Sequence, residues 1–149
     1  MLTPQIVANT ILLLAFNENI PVSPMKLQKL IYIVYKSFLK ETQQKLFTES
    51  FSKWQYGPVV ESVYYEFGCF GSKPINKFAR DAKGNVQVVA LNKSNPLSET
   101  IKAVWDKYKG YSGTTLSSLT HGENTAWSKA VEENRNTLKD EDIANEEDF

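Results

Sequence analysis

The stretch 23–39, SPMKLQKLIYIVYKSFL, constrains the fold more than any other part of the chain. Ser23 and Pro24 favour a helix start, because the serine hydroxyl accepts from a free backbone N–H and proline needs none at the first helical position. Apolar residues then recur at helical spacing on one face: Leu27, Leu30, Ile31, Val34 and Phe38. Since Ile33 and Tyr35 fall outside that stripe, the pattern predicts a central helix buried among its neighbours.

Chain length and composition favour a folded, cytoplasmic protein. With 149 residues, 42% of them hydrophobic and 12% aromatic, the chain suits one domain over 1–149 with a single core. The lone Cys69 excludes an internal disulfide and is typical of a reducing compartment. The apolar run 11–16 is too short to cross a bilayer and follows no basic residue, so we expect no membrane segment.

Charge is distributed unevenly along the chain. Residues 1–110 carry 14 Lys and Arg against 8 Asp and Glu, whereas 111–149 carry 3 against 9, which gives +6 and −6. This asymmetry suits an acidic region that covers the basic part of the same chain, or a charged partner. The acidic segment 138–149 has a composition typical of disorder, yet its spaced apolar residues would also anchor a short docked helix.

Cap-and-proline signals divide the rest of the chain into further helices. Thr3-Pro4 and Asn95-Pro96 resemble the start at Ser23, and Gly57-Pro58 is expected to begin another helix. Two shorter helices are expected near 114–120 and 125–135. The chain is therefore expected to be mainly α, within the α+β class, as a bundle of about six or seven helices.

We expect β structure in two places. Segments 75–80 and 85–91 flank Asp-Ala-Lys-Gly at 81–84, with Gly where a turn needs a positive φ, and they predict a small antiparallel β-hairpin. Near 51–56, aromatic and polar residues alternate, which favours a short strand. The hairpin is the stronger of the two predictions.

The sequence offers little material for catalysis. His121 is the single histidine, and neither a Gly-framed serine, a paired cysteine nor a second histidine accompanies it. A hydrolase using His121 as base, with Glu123 or a carboxylate distant in the sequence as its orienting group, is one hypothesis, but a structural or interface histidine fits the pattern better. No glycine-rich phosphate loop is present. We therefore expect no enzyme, no metal and no cofactor.

A DNA-binding transcriptional regulator of winged-helix type is the alternative to a protein-binding function. Helices with one hairpin match that composition, and four lysines are spaced to line one helical face: Lys26, Lys29, Lys36 and Lys40. Only Arg80 and Arg135 supply the side chain best suited to guanine, so sequence-specific readout is not expected.

Three separated stretches carry a recognisable pattern. They are IPVSPMKLQKLIY at 20–32, WQYGPV at 54–59 with Tyr64 beyond it, and LSSLTH at 116–121 with Trp127 beyond it. In this order and spacing they resemble the Panacea antitoxin domain family, the SocA-like and phage-associated proteins of prophages and toxin–antitoxin systems. The resemblance implies a mostly helical domain.

The same resemblance implies a partner. Family members neutralise a cognate, co-encoded toxin protein by direct contact, or, in SocA-like members, act as an adapter that delivers it to a protease. Seven matched residues are expected to be structural: Pro24, Leu27, Leu30, Trp54, Gly57, Pro58 and Trp127. Function is then expected in exposed residues around this core, and aromatic and charged groups beside a rigid turn make good interface anchors. The candidates for partner binding are Lys26, Lys29, Tyr32, Tyr56, His121 and Glu123.

Overall fold

A computed structural model describes residues 2–149. Those residues form α1 Pro4–Glu18, α2 Pro24–Thr42, β1 Ser52–Trp54, β2 Gly57–Val59, α3 Glu61–Phe67, a 3-10 turn Gly68–Phe70, α4 Pro96–Tyr108, α5 Gly113–Thr120, α6 Ala126–Glu132 and α7 Asp140–Asn145. The two strands pair as an antiparallel hairpin. The prediction of a mainly α protein with one small hairpin is confirmed. None of the helices described is long and apolar enough to cross a membrane.

Three of the helix starts predicted from cap-and-proline pairs, those after Thr3, Ser23 and Asn95, are confirmed. The Thr3 hydroxyl accepts from the Ile6 amide, and the Ser23 hydroxyl accepts from the Lys26 amide, each at 3.2 Å. The Asn95 side chain accepts from the Ser98 amide at 3.0 Å. Each cap satisfies a backbone N–H that the first turn leaves without a partner.

Helix α2 is the central element of the fold. It packs against α1, α3, α4, α5 and α7 and against strand β2. Its side chains are buried on several sides: Leu27 and Tyr32 are 0% exposed, and Leu30 is 1% exposed. The prediction of a helix surrounded by its neighbours is therefore confirmed.

The prediction of a hairpin at 75–80 and 85–91 is wrong. The turn between these segments does form, since the Asp81 amide donates to the Asn85 carbonyl at 2.8 Å and Gly84 has a φ of +85°. The flanking segments nevertheless contain no strand. Their backbone groups bond instead to side chains of α1.

Asn9 and Thr10 of α1 take the hydrogen bonds that a strand partner would have made. The Asn9 amide accepts from the Ala79 N–H at 2.8 Å and donates to the Ala79 and Gln87 carbonyls at 2.9 and 3.1 Å. The Thr10 hydroxyl accepts from the Val89 N–H at 2.8 Å. Because buried backbone groups need hydrogen-bond partners, these side-chain contacts replace the backbone hydrogen bonds of a β-ladder.

The observed hairpin lies where the weaker signal predicted one short strand. Strand β1 falls within 51–56, but the residues after it form β2, so Gly57-Pro58 does not begin a helix and α3 starts at Glu61. Gly57 has a φ of +115°, which favours glycine and lets the chain reverse after Tyr56. The outer edge of β1 is covered, because the Lys53 N–H donates to the Asn136 carbonyl at 2.8 Å.

The acidic C-terminal segment packs onto the rest of the protein. Leu138 and Ile143, before and within α7, are 6% and 1% exposed. Glu146, which follows α7, accepts from the Ala126 amide at the start of α6 at 2.8 Å. Glu146 Oε2 also lies 2.9 Å from Nζ of Lys36 in α2, so the negative segment lies against the body that carries the excess of positive charge.

Candidate protein-binding face

The lysines of α2 do not form a basic surface. Lys26 is 6% exposed, and Lys29 and Lys36 are each 2% exposed. Lys26 Nζ donates to the Lys109 carbonyl, and Lys29 Nζ donates to the Pro58 carbonyl at 2.9 Å. Of the four lysines only Lys40 is exposed, and a single exposed lysine offers no track for DNA phosphates. The predicted wing at 75–91 is also absent. The DNA-binding alternative is therefore not favoured.

Burial shifts the pKa values of these lysines downward, because removal from water disfavours the charged ammonium. It lowers the pKa of Lys29 to about 7 and also lowers the pKa of Lys26. The pKa of Lys36 is lowered by burial as well, although the Glu146 carboxylate opposes the change. Lys29 therefore differs from an ordinary surface lysine, which is fully charged at neutral pH.

Tyr32 is also inside the protein. Its side chain is 0% exposed, and its hydroxyl donates to Glu146 Oε1 at 2.9 Å. Burial, reinforced by the Glu146 carboxylate, raises the pKa of this phenol. The expectation that Lys26, Lys29 and Tyr32 lie on the surface is wrong, because their polar ends bond to groups far away in the sequence, at Lys109, Pro58 and Glu146.

Three tyrosines form an exposed surface beside the hairpin. Tyr56 at the turn is 57% exposed, and Tyr64 and Tyr65 of α3 are 43% and 74% exposed. The Tyr64 ring packs edge-on against Trp54, with centroids 4.7 Å apart, and lies 5.8 Å from the Tyr65 ring. We call Tyr56, Tyr64 and Tyr65 the tyrosine face. Of these three, the sequence predicts only Tyr56 as a partner-binding residue, although Tyr65 does not share the helical spacing of Val63 and Phe67, the buried residues of α3.

The third matched stretch holds the hairpin in place. The Ser117 hydroxyl of α5 donates to the Tyr56 carbonyl at 2.6 Å, and Trp127 Nε1 of α6 donates to the Trp54 carbonyl at 2.7 Å. His121 lies between them in sequence, and its ring packs edge-on against Trp127 with centroids 5.2 Å apart. The structure thus brings His121 to the same region as Tyr56.

Glu123 and the matched structural residues occupy different environments. Glu123 is exposed in the loop between α5 and α6, whereas Leu27 and Leu30 belong to the core. Trp54 and Trp127 are half-buried. Among residues 2–149, no group of His, Cys, Asp and Glu side chains is arranged to hold a metal ion.

Gly57 sits at a close approach between three elements. A Cβ on this residue would lie 3.0 Å from the Thr120 hydroxyl oxygen of α5 and 3.1 Å from Lys29 Nζ of α2. Such distances are too short for an unstrained side chain, and its positive φ adds to the strain. The glycine therefore allows the hairpin to pack closely against α2 and α5.

A pocket of about 470 Å³ opens between α2, the hairpin and α3. It reaches the surface beside Tyr56 and Tyr64 of the tyrosine face. Further lining residues, mostly apolar, are Met25, Lys29, Trp54, Val59, Val63 and Phe67. The first two matched stretches of the sequence therefore meet around one cavity.

A comparison with known protein families identifies the family of this chain. Residues 27–128 match the model of the family described as "Antitoxin SocA-like, Panacea domain", which is more than half of the chain. The chain belongs to that family, and the resemblance read from the three stretches is confirmed.

A named relative adds to the family match. Antitoxin SocA of Caulobacter vibrioides (strain NA1000 / CB15N) is 30% identical over 124 residues, which cover 81% of this chain and 66% of that protein. The chain thus spans just under two thirds of its relative. No solved structure matches the chain.

Proposed function

We propose that this chain is an antitoxin that neutralises a cognate, co-encoded toxin protein by direct protein–protein binding. It acts in the cytoplasm as a single domain over 1–149 and without catalysis. Membership of the SocA-like Panacea family supports the antitoxin role. The observation that carries the binding mode is the tyrosine face, since Tyr56 at the hairpin turn and Tyr65 on α3 are both more than half exposed.

The chemistry of the tyrosine face suits a protein partner. Tyrosine is enriched at interfaces, because one ring contributes a large apolar area while its hydroxyl forms a hydrogen bond. The rings of Tyr64 and Tyr65 lie 5.8 Å apart, and Tyr56 lines the same pocket as Tyr64. Such a group of exposed aromatic rings is the kind from which hot spots are formed. His121 and Glu123 extend this surface on the α5 side with groups that pair with polar or charged residues.

The backbone beneath the tyrosine face is held from several directions. Gln28 of α2 accepts from the Val60 amide and donates to the Val60 carbonyl, each at 3.0 Å. Together with the Lys29 bond to Pro58, the Ser117 bond to Tyr56 and the Trp127 bond to Trp54, these contacts hold both strands of the hairpin and the turn between them. A fixed surface loses little conformational entropy on binding, which favours affinity.

Co-expression with each neighbouring gene tests the proposed function. Growth rescue from a toxic neighbour, together with co-purification of a stable complex, is the expected result. Tyr56→Ser combined with Tyr65→Ser should abolish rescue. Tyr111→Ser is the matched control, because Tyr111 is 38% exposed in the loop between α4 and α5. Absence of a toxic or co-purifying neighbour would contradict the proposal.

The same experiment separates occlusion from delivery to a protease. Occlusion predicts rescue with an unchanged amount of toxin, also in hosts without individual ATP-dependent proteases. An adapter predicts a falling amount of toxin and loss of rescue in one of those hosts. We propose occlusion, since the rigid tyrosine face by itself provides a blocking surface.

A further inference from the structure

The pocket between α2, the hairpin and α3 has the size and composition of a small-molecule site. Its volume of about 470 Å³ falls within the range of about 300 to 1,000 Å³ that is usual for ligand pockets. Its walls combine apolar side chains such as Val63 and Phe67 with the aromatic rings of Trp54 and Tyr64. A mostly apolar cavity with few polar groups binds a ligand whose body is apolar.

Lys29 is the cationic residue of this lining. Its side chain is 2% exposed, and its ammonium donates to one acceptor in the described structure, the Pro58 carbonyl. An ammonium carries three N–H donors, so two are not used by that bond. The lining contains no Asp or Glu to neutralise the charge. A buried cation paired only with a neutral carbonyl is an incomplete arrangement.

The other polar groups of the lining, Gln55 and the Trp54 indole among them, carry no positive charge. Gln28 uses both ends of its amide on the Val60 backbone. The other titratable groups of the lining are the phenols of Tyr56 and Tyr64. Outside the lining, the Thr120 hydroxyl, which lies beside Gly57 as Lys29 Nζ does, donates to carbonyls of its own helix. Lys29 is therefore the group best suited to receive an anion.

We propose that this pocket binds a small organic acid, with its apolar or aromatic body between α2, Trp54 and α3 and its carboxylate on the Lys29 ammonium. The acid supplies the counter-charge that the lining lacks. The site goes beyond toxin neutralisation and does not depend on it. It also opens beside the tyrosine face, so a bound acid lies next to the proposed toxin interface.

Binding of 4-phenylbutanoate to the full chain, measured by calorimetry, tests the proposal. The expected result is saturable binding in which 4-phenylbutanamide, the neutral analogue, binds at least tenfold more weakly. Because burial lowers the pKa of Lys29 to about 7, the empty pocket loses its positive charge above that pH. Affinity should then fall roughly 20-fold between about pH 6.5 and 8.5, with proton uptake on binding.

Two variants make the test specific. Lys29→Met should abolish binding and its pH dependence, whereas Lys83→Met, at an exposed lysine of the 81–84 turn, should change neither. Met25→Trp fills the pocket without touching the charge and should also abolish binding, with thermal unfolding as the check that each variant is folded. Equal binding of acid and amide, or unchanged binding to Met25→Trp, would overturn the proposal.

Binding measurements with peptides show whether the carboxylate belongs to a free acid or to a chain terminus. A short peptide ending in Leu-Phe with a free carboxyl group is compared with the same peptide ending in an amide. Stronger binding of 4-phenylbutanoate than of either peptide supports a free acid as the occupant. Binding of the free-carboxyl peptide with no binding of 4-phenylbutanoate would overturn it in favour of a chain terminus.

Discussion

Lys36 and Glu146 form an ion pair that is almost completely buried, with Nζ and Oε2 2.9 Å apart and both side chains 2% exposed. Glu146 also accepts from the Tyr32 hydroxyl and the Ala126 amide at 2.9 and 2.8 Å. The Lys36 ammonium lies 3.3 Å from the centroid of the Phe149 ring. These contacts satisfy both charges and join the acidic C-terminal segment to the central helix.

Removing the negative charge of this pair should destabilise the protein strongly. In Glu146→Gln the amide keeps an acceptor for Tyr32 and Ala126, but the Lys36 ammonium stays buried without a counter-charge. The free energy of unfolding in urea should fall by about 3 kcal/mol. Glu99→Gln is the matched control, since Glu99 pairs with Lys102 on the surface, and it should cost under about 1 kcal/mol.

A second substitution tests the physical reason for that loss. Lys36→Met added to Glu146→Gln removes the unpaired ammonium, so the double variant should be more stable than Glu146→Gln alone. Unfolding curves of the wild type, both single variants and the double variant complete the cycle. Equal losses in the single and double variants would show that the charge is not responsible.

Stability should depend on pH through Lys29. Because burial lowers the pKa of Lys29 to about 7, the unfolded chain binds a proton at this residue between about pH 7 and 10.4 that the folded chain does not. The contribution of Lys29 to stability therefore increases as pH rises, by at most about 1.4 kcal/mol per pH unit. Unfolding measured from pH 7 to 9.5 should show this increase.

Lys29→Met isolates the contribution of that residue. The variant carries no proton at this position in either state, so its stability should increase less with pH than that of the wild type. Lys83→Met provides the comparison at an exposed position. If the wild type and Lys29→Met respond to pH in parallel, the account of Lys29 as a buried amine with a depressed pKa is incorrect.

Asn9 should be essential for the order of the segment 76–90. In Asn9→Ala the Ala79 N–H and C=O lose their partner, and each buried unpaired group costs about 1–3 kcal/mol. We expect a total loss of about 2–4 kcal/mol and rapid exchange of the Ala79 amide proton. Asn92→Ala, at an exposed position, is the control. Retained protection of the Ala79 amide in Asn9→Ala would contradict this account.

Local signals in the sequence predicted the helices well and the hairpin poorly. The starts at Ser23 and Asn95 depend on contacts within four residues, so cap and proline patterns are sufficient to identify them. The 76–90 segment depends on Asn9, about 70 positions earlier in the chain. No periodicity within the segment indicates that a distant side chain takes its backbone hydrogen bonds.

The candidate face was only partly predictable for a related reason. The sequence indicates Tyr56 from its place beside a rigid turn, but it also favours positions on the protein surface for Lys26, Lys29 and Tyr32. A long, polar-tipped side chain on a helix usually reaches water. Here the hairpin covers Lys29. The Tyr32 hydroxyl donates to Glu146, which is more than 100 positions away in the sequence. Burial of this kind depends on tertiary packing, which local patterns do not contain.

Gly57→Ala should disturb the hairpin and the pocket together. An added Cβ would meet the Thr120 hydroxyl oxygen at 3.0 Å and Lys29 Nζ at 3.1 Å, at a φ of +115°. We expect a loss of about 1–3 kcal/mol in unfolding free energy. Gly110→Ala is the matched control, because nothing lies within 4 Å of its added Cβ. Similar stabilities for the two variants would contradict the close approach described here.

The affinity of the purified chain for the toxin encoded beside it tests the central claim most directly. The account predicts a stable complex at equilibrium, and a loss of at least about tenfold in affinity for Tyr56→Ser combined with Tyr65→Ser, which corresponds to about 1.4 kcal/mol. Tyr111→Ser should bind like the wild type. Wild-type affinity in the double tyrosine variant, or equal losses in the double variant and Tyr111→Ser, would contradict the tyrosine face as the toxin-binding surface.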